Sequence, residues 1–256
     1  MKNLLILCVF FCAIFVYSQE NKVISEDFES YEIGEFPKGS WNDIIDVSIP
    51  KTAPSPSATI IETIDHTGNK IKAIQFQRGV TTSCGFYKKI DNREGEIYKI
   101  EATMKVNHWS NSSRPFFTDW AVAFGMFSIY DGYDFNAGPQ LTFVTQPVSD
   151  NLVVYALRSD VKAYNEYFNI EFEDKVKLDT WYNITLELNN KTGLVKTKLI
   201  EAKSGNAIHK KETQIPNWDS EKSGNYNFVG AWDGEYNTDA TLGNQVTISK
   251  FSLTVE

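Results

Sequence analysis

The chain has 256 residues, with 33 acidic against 25 basic side chains and a net charge of −8. That length can fill one full core, and the acidic balance excludes nucleic acid or an anionic membrane as the main partner, because both need a concentrated basic face. Two of the three cysteines, Cys8 and Cys12, lie in the first 18 residues, so a disulfide framework or cysteine-rich metal site is excluded from the rest.

Met1 to Ser18 begins with one cation, Lys2, and runs apolar from Leu4 to Tyr17 before Ser18 and Gln19. This is the order of a cleavable export signal, and the run falls short of the ~20 residues that span a membrane. Cys8 and Cys12 follow the bulky Leu7 and Phe11, which argues against a lipid anchor. The expectation is a signal peptide over 1–18 and a single domain over 19–256. The product is then secreted or periplasmic, monomeric and without a membrane partner. Cys84, the cysteine left after cleavage, is expected to be a small buried hydrophobe. The Pro-rich stretch 50–57 reads as a surface loop.

Strand signals dominate the rest of the chain. Strands are read at 71–78 and then at 98–107, where Tyr98, Ile100, Ala102, Met104 and Val106 alternate with Lys99, Glu101, Thr103, Lys105 and Asn107. Further strands are read at 120–130, 140–146 and 151–158. At 168–172, Phe168, Ile170 and Phe172 alternate with Asn169 and Glu171. Tyr182, Ile184, Leu186 and Leu188 form another apolar face, and Asn189 to Gly193 supply a turn into a partner strand at Val195, Thr197 and Leu199. That is a hairpin. Strands at 226–232 and 245–255 complete the series. Many short strands separated by Gly, Asn and Asp turns, with no sustained helical period, give an all-β, two-sheet antiparallel β-sandwich or jelly roll.

Three segments carry a family resemblance. Glu26 to Trp41 (EDFESYEIGEFPKGSW) resembles the first-strand signature of concanavalin A-like jelly rolls. Asp179 to Gly193 (DTWYNITLELNNKTG) is similar to their Trp-Tyr hairpin, and Val246 to Leu253 (VTISKFSL) to their closing strand. The resemblance implies two stacked antiparallel sheets, one curved, with a ligand across its concave face. It also implies carbohydrate chemistry, since this group holds lectins, binding modules, glycoside hydrolases and polysaccharide lyases. A structural calcium ion is implied as well, and Asp27, Asp65 and Asn69 are its candidate oxygen ligands. Trp41 and Trp181 fall on the signature and are expected to be buried.

Side chains must choose among these activities. The jelly-roll glucanases carry carboxylates alternating along one strand, and the nearest approach is Glu171 and Glu173, which could form a retaining pair only if ~5–5.5 Å apart. A lyase needs a group that neutralises a uronate carboxylate, a base for the acidic proton beside it, and an acid for the leaving oxygen. Lys105, His108, Tyr155 and Arg158 are the catalytic candidates. Gln75, Trp109, Gln140, Lys162, Tyr164 and Trp232 are the candidates for holding substrate, the rings by stacking on sugar faces. His66 and His209 lie in turn-like surroundings and are set aside, and no pair has metal-ligand spacing. Trp109, Trp120, Trp218 and Trp232 lie near segment ends, where a groove rim would expose them. The leading expectation is a polysaccharide lyase acting on a uronate-containing polymer by β-elimination. A non-catalytic, lectin-like glycan-binding protein is the rival, and a hydrolase built on Glu171 and Glu173 is the third.

Overall fold

The computed structural model describes residues 21–43, 58–77, 84–90, 95–108, 120–130, 134–145, 152–161, 166–218, 220, 228–233 and 245–256. Within them lie fifteen strands: β1 (Asn21–Glu26), β2 (Asn42–Asp43), β3 (Ala58–Ile64), β4 (Lys70–Gln77), β5 (Cys84–Lys89), β6 (Ile97–His108), β7 (Trp120–Tyr130), β8 (Asp134–Thr145), β9 (Leu152–Val161), β10 (Glu166–Val176), β11 (Tyr182–Asn189), β12 (Leu194–Glu201), β13 (Ala207–Gln214), β14 (Phe228–Asp233) and β15 (Gln245–Val255). They form two antiparallel sheets. One has eight strands in the order β13-β12-β11-β6-β15-β4-β3, with β1 also paired to β15; the other has seven, β10-β9-β8-β7-β14-β5-β2.

Alternation explains why the sheets stack. In β6 every second residue from Tyr98 to Val106 is buried, and in β11 the same holds from Tyr182 to Leu188. The two strands pair Ile184 with Ala102 and Leu186 with Ile100, so the apolar faces fall in register. Aromatic rings then join the layers. Phe251 of the eight-stranded sheet meets Phe86 and Phe124 of the other at ring centroid distances of 5.7 and 5.6 Å, and Trp41 closes the stack 5.4 Å from Phe251. Edge-to-face pairs of this kind add to the burial of each ring.

The first-strand signature has a structural cause. One oxygen of the Glu26 carboxylate accepts from the backbone N–H of Asp27 and Phe28, and the other accepts from the Tyr31 hydroxyl at 2.8 Å and the Trp41 indole N–H at 3.1 Å. The knot holds Phe28 at φ 62°, a left-handed conformation that a bulky residue rarely adopts. Complete burial of the Phe28 ring, 5.9 Å from Phe86, offsets the strain. Burial raises the Tyr31 phenol's pKa and Glu26 adds to the rise, partly opposed by a bond to Ser40.

The β11–β12 hairpin turns on Gly193, at φ 73°. A Cβ there would collide with the Trp218 ring, whose N–H donates to the Asn190 carbonyl at 2.7 Å. Trp218 therefore covers the hairpin and is no free rim residue. Gly193→Ala is expected to cost about 1–3 kcal/mol, from positive φ and displacement of the indole together, read as a lower denaturant midpoint at unchanged slope. A loss under about 0.5 kcal/mol would contradict this packing.

Trp41, Trp181 and Cys84 are buried as expected. His209, set aside as a turn residue, is instead inside the sandwich on β13, its Nε2 2.7 Å from the Thr197 hydroxyl. The strands at 58–64, 84–89 and 207–214 were not foreseen.

Candidate functional site

The register of the seven-stranded sheet fixes which residues share a face. Ile170, Leu157, Leu141, Phe124, Ala231 and Phe86 are successive cross-strand partners from β10 to β5. Phe124, Ala231 and Phe86 are fully buried, the two rings against Phe251, so these positions of the row lie on the core side. One residue along each strand, alternation gives the opposite face. There Asn169, Arg158 and Gln140 are direct partners on β10, β9 and β8. The row continues through Gly125, Gly230, Tyr87 and Asn42.

A cation and two amides thus occupy three adjacent strands, beside two strands where the row carries no side chain. Gly230 is forced, since a Cβ there would strike the Phe86 carbonyl and approach the Tyr87 Cα to 2.9 Å. Tyr87 stands at the far side with its ring 5.3 Å from that of Phe228 in an edge-to-face pair. The next row on the same face holds Glu171, Ala156, Thr142, Ala123, Trp232 and Gly85. Trp232 is two strands and one pair of residues from Gln140, about 12 Å at Cα. The register thus places a cation and two amides side by side on β10, β9 and β8, with Gly125, Gly230 and the buried Tyr87 continuing the row.

Of the predicted residues, Arg158, Gln140 and Trp232 are brought together here. Tyr155 lies where the ladder slips. Thr142 pairs with Ala156 but Phe143 with Val154, and on the other side Glu171 pairs with Ala156 but Asp174 with Val154. Tyr155 has no partner on β8, while on the other side Phe172 and Glu173 of β10 stand opposite it, a bulge. The same slip falls between Glu171 and Asp174, so a continuous ladder does not set Glu171 and Glu173 side by side.

Lys105, His108 and Gln75 are elsewhere, because β6 and β4 belong to the eight-stranded sheet. Lys105 is on that sheet's outer face, with Nζ 5.0 Å from the Trp181 ring centroid and 3.4 Å from the Thr63 hydroxyl. Gln75 donates to the Thr247 hydroxyl at 2.9 Å, and Thr247 donates to Asn107 at 2.6 Å. His108 ends β6 opposite Gln245, on the parity of the core-facing Val106. The sequence pattern shows that these residues face outward but not from which sheet, and a core about 10 Å thick separates the layers. Trp109, Lys162 and Tyr164 lie outside the described residues.

Of the three calcium ligands the resemblance implies, Asp65 and Asn69 share the β3–β4 turn and Asp27 lies in the turn after β1. Asp65 Oδ1 accepts from the hydroxyl and N–H of Thr67 and the N–H of Asn69, bonds that hold its pKa below the ordinary value and shape the β3–β4 turn. Asn69 donates its side-chain amide to Thr67, and Asp27 accepts from the Glu29 N–H in a separate turn. Among the described residues no group of three or more His, Cys, Asp or Glu is placed to hold an ion.

No protein-family model and no curated protein matches this chain. Solved structures do. The alginate lyase from Klebsiella pneumoniae superimposes with a TM-score of 0.54 at 12% identity, covering 77% of this chain and 84% of that one. Peanut lectin gives 0.51 at 10% identity, over 91% and 97%. The fold is the concanavalin A-like jelly roll. A protein of unknown function from Shewanella oneidensis gives 0.50 at 13% identity, over 90% and 85%. Lectins and a lyase share the concanavalin A-like architecture, so the fold alone leaves the activity to the residues on the polar face.

Tyr87 and Asn169 were not among the predicted site residues. Asn169 was visible as an outward position of its strand, and only the register sets it beside Arg158. Tyr87 sits in Cys84–Lys89, where four successive buried residues hide the alternation.

Proposed function

We propose that the chain is a polysaccharide lyase that cleaves a uronate-containing polymer by β-elimination on the polar face of the seven-stranded sheet. The observation that carries this reading is the direct pairing of Asn169, Arg158 and Gln140. One guanidinium between two amides suits a single carboxylate, offering charge-assisted donors in a planar fork with neutral donors on either side. Neutralising the carboxylate acidifies the adjacent C–H, so a weak base suffices to remove the proton. Tyr155, in the bulge beside this row, is the proposed proton-moving group. Trp232, in the next row of the same register, is the proposed sugar platform. Residues 1–18 would direct the protein out of the cytoplasm, where such polymers are found.

One observation favours a second reading. Two of the four predicted catalytic residues, Lys105 and His108, belong to the other sheet, which leaves fewer proton-moving groups near Arg158 and suits a glycan-binding protein without catalysis. Incubation with alginate, polygalacturonate and glucuronan, following the ultraviolet absorbance of the unsaturated product, separates the readings. A rise on one polymer is expected. No rise on any, with retarded migration in a gel containing the polymer, would replace the lyase by a binding protein. Reducing ends without new absorbance would mean hydrolysis.

A further inference from the structure

The outer face of the eight-stranded sheet carries an open trough of about 660 Å³, on the opposite side of the molecule from the row described above. Its floor is built from short polar side chains of β11, β6 and β15, among them Asn183, Thr185, Thr103 and Ser252. Lys198 and Ile200 of β12 form one wall, and the turn after β1, with Asp27, forms the other. The register explains this composition. Lys198, Thr185, Glu101 and Ser252 make one row of cross-strand partners, and Asn183, Thr103 and Lys250 make the next. Short side chains at Asn183, Thr185, Thr103 and Ser252 keep the floor low, and the longer Lys198 and Lys250 stand at opposite sides of it.

Its charges are unevenly spent. The Glu26 carboxylate is used by the four donors of the first-strand knot. Glu101 is paired with Lys99 at 3.0 Å. Among the described residues, Lys198, Lys250, Thr185 and Ser252 have neither a hydrogen bond nor an ion pair through their side chains. Two unneutralised ammonium groups and a floor of hydroxyls and an amide therefore face the channel, against Asp27. The lysines are three strand spacings and one residue pair apart, about 16 Å at Cα. The one aromatic lining residue, Phe251, is buried in the core, so ring stacking has no part here.

We propose that this trough is a second carbohydrate site, binding a uronate oligosaccharide by ion pairs to Lys198 and Lys250 and by hydroxyl contacts to Thr185, Asn183 and Ser252. The Thr103 hydroxyl donates to Asn183 Oδ1 at 2.8 Å, which leaves the Asn183 amide N–H and the hydroxyls of Thr185 and Ser252 for sugar hydroxyls, and carboxylates spaced along the oligomer match the separated lysines. The site holds chain without cutting it. It does not rest on the lyase reading, since it uses neither Arg158 nor any neighbour of it.

The test is lysine acetylation footprinting of the full chain with a hexameric oligomannuronate, with cellohexaose as the neutral control. Lys198 and Lys250 are expected to be protected by the oligomannuronate alone, while the exposed Lys203 and Lys191, in the turns at the two ends of β12, stay reactive. The double variant K198A/K250A is expected to bind about five- to tenfold more weakly when measured in the Arg158→Ala background, where any contribution of the other face is removed. These are exposed contacts, each modest alone and weakened by salt. Unchanged acetylation of Lys198 and Lys250, or undiminished affinity in the double variant, would overturn the proposal. Protection that persists in the Arg158→Ala variant would establish the trough apart from the other face.

Discussion

Replacing Arg158 by alanine is expected to lower kcat/KM on the cleaved polymer by about a hundred- to a thousandfold, the usual consequence of removing a donor aimed at charge that develops in the transition state. The carboxylate becomes an enolate-like dianion as the adjacent proton leaves, so the guanidinium binds the transition state more tightly than the substrate. Most of the loss should therefore appear in kcat. Gln140→Ala, which removes a neutral donor from the neighbouring position, is expected to cost only about tenfold. Lys105→Ala should leave turnover within about twofold, since its ammonium is occupied over Trp181 on the other sheet. Initial rates of unsaturated product formation measure all three. If Arg158→Ala cleaves at the unsubstituted rate, the row does not hold the reacting sugar.

The contrast between Arg158 and Lys105 shows what the sequence could and could not convey. Both residues sit at outward positions of alternating strands, and alternation is a local property that a single chain displays openly. Their membership in different sheets is a matter of long-range pairing. β6 joins β11 and β15, the latter more than 130 residues away, while β9 joins its sequence neighbours β8 and β10. The first arrangement depends on how the closing strand returns through the middle of the sheet, and no periodicity records that. The hairpins were legible for the opposite reason: Asn189 to Gly193 carries its turn in its own residues, and the structure uses Gly193 at positive φ as that turn requires.

The signature at Glu26 to Trp41 was legible as a resemblance but silent about its physics. The Glu26 carboxylate is a hub for two backbone amides, a phenol and an indole, and Phe28 is held left-handed and buried. Asp27 and Asp65 each turn one carboxylate oxygen to the N–H groups of their own turns, as short carboxylates do. The segment over 84–89 was missed because inner and outer residues are both buried there, Cys84 and Phe86 by the core and Tyr87 beside Gly230.

The largest effect on stability is expected at Phe251. Its ring is 1% exposed and meets Trp41, Phe86 and Phe124, so one side chain of β15 touches three aromatic partners, two of them strand residues of the opposite sheet. Phe251→Ala would leave a cavity between layers that rigid backbone ladders cannot close, at a cost of about 3–5 kcal/mol. Urea unfolding should show the lower midpoint with an unchanged slope, whereas Ile33→Ala, at a side chain 55% exposed, should change stability by no more than about 0.5 kcal/mol. Phe86 and Phe124 are immediate chain neighbours of Tyr87 and Gly125, which lie in the row with Arg158. Phe251→Leu, a smaller cavity, should therefore retain the fold and still lose activity, because it slackens the layer behind the row. A cost below about 1 kcal/mol for Phe251→Ala would mean that the aromatic stack does not hold the sheets together, and the coupling to activity would fall with it.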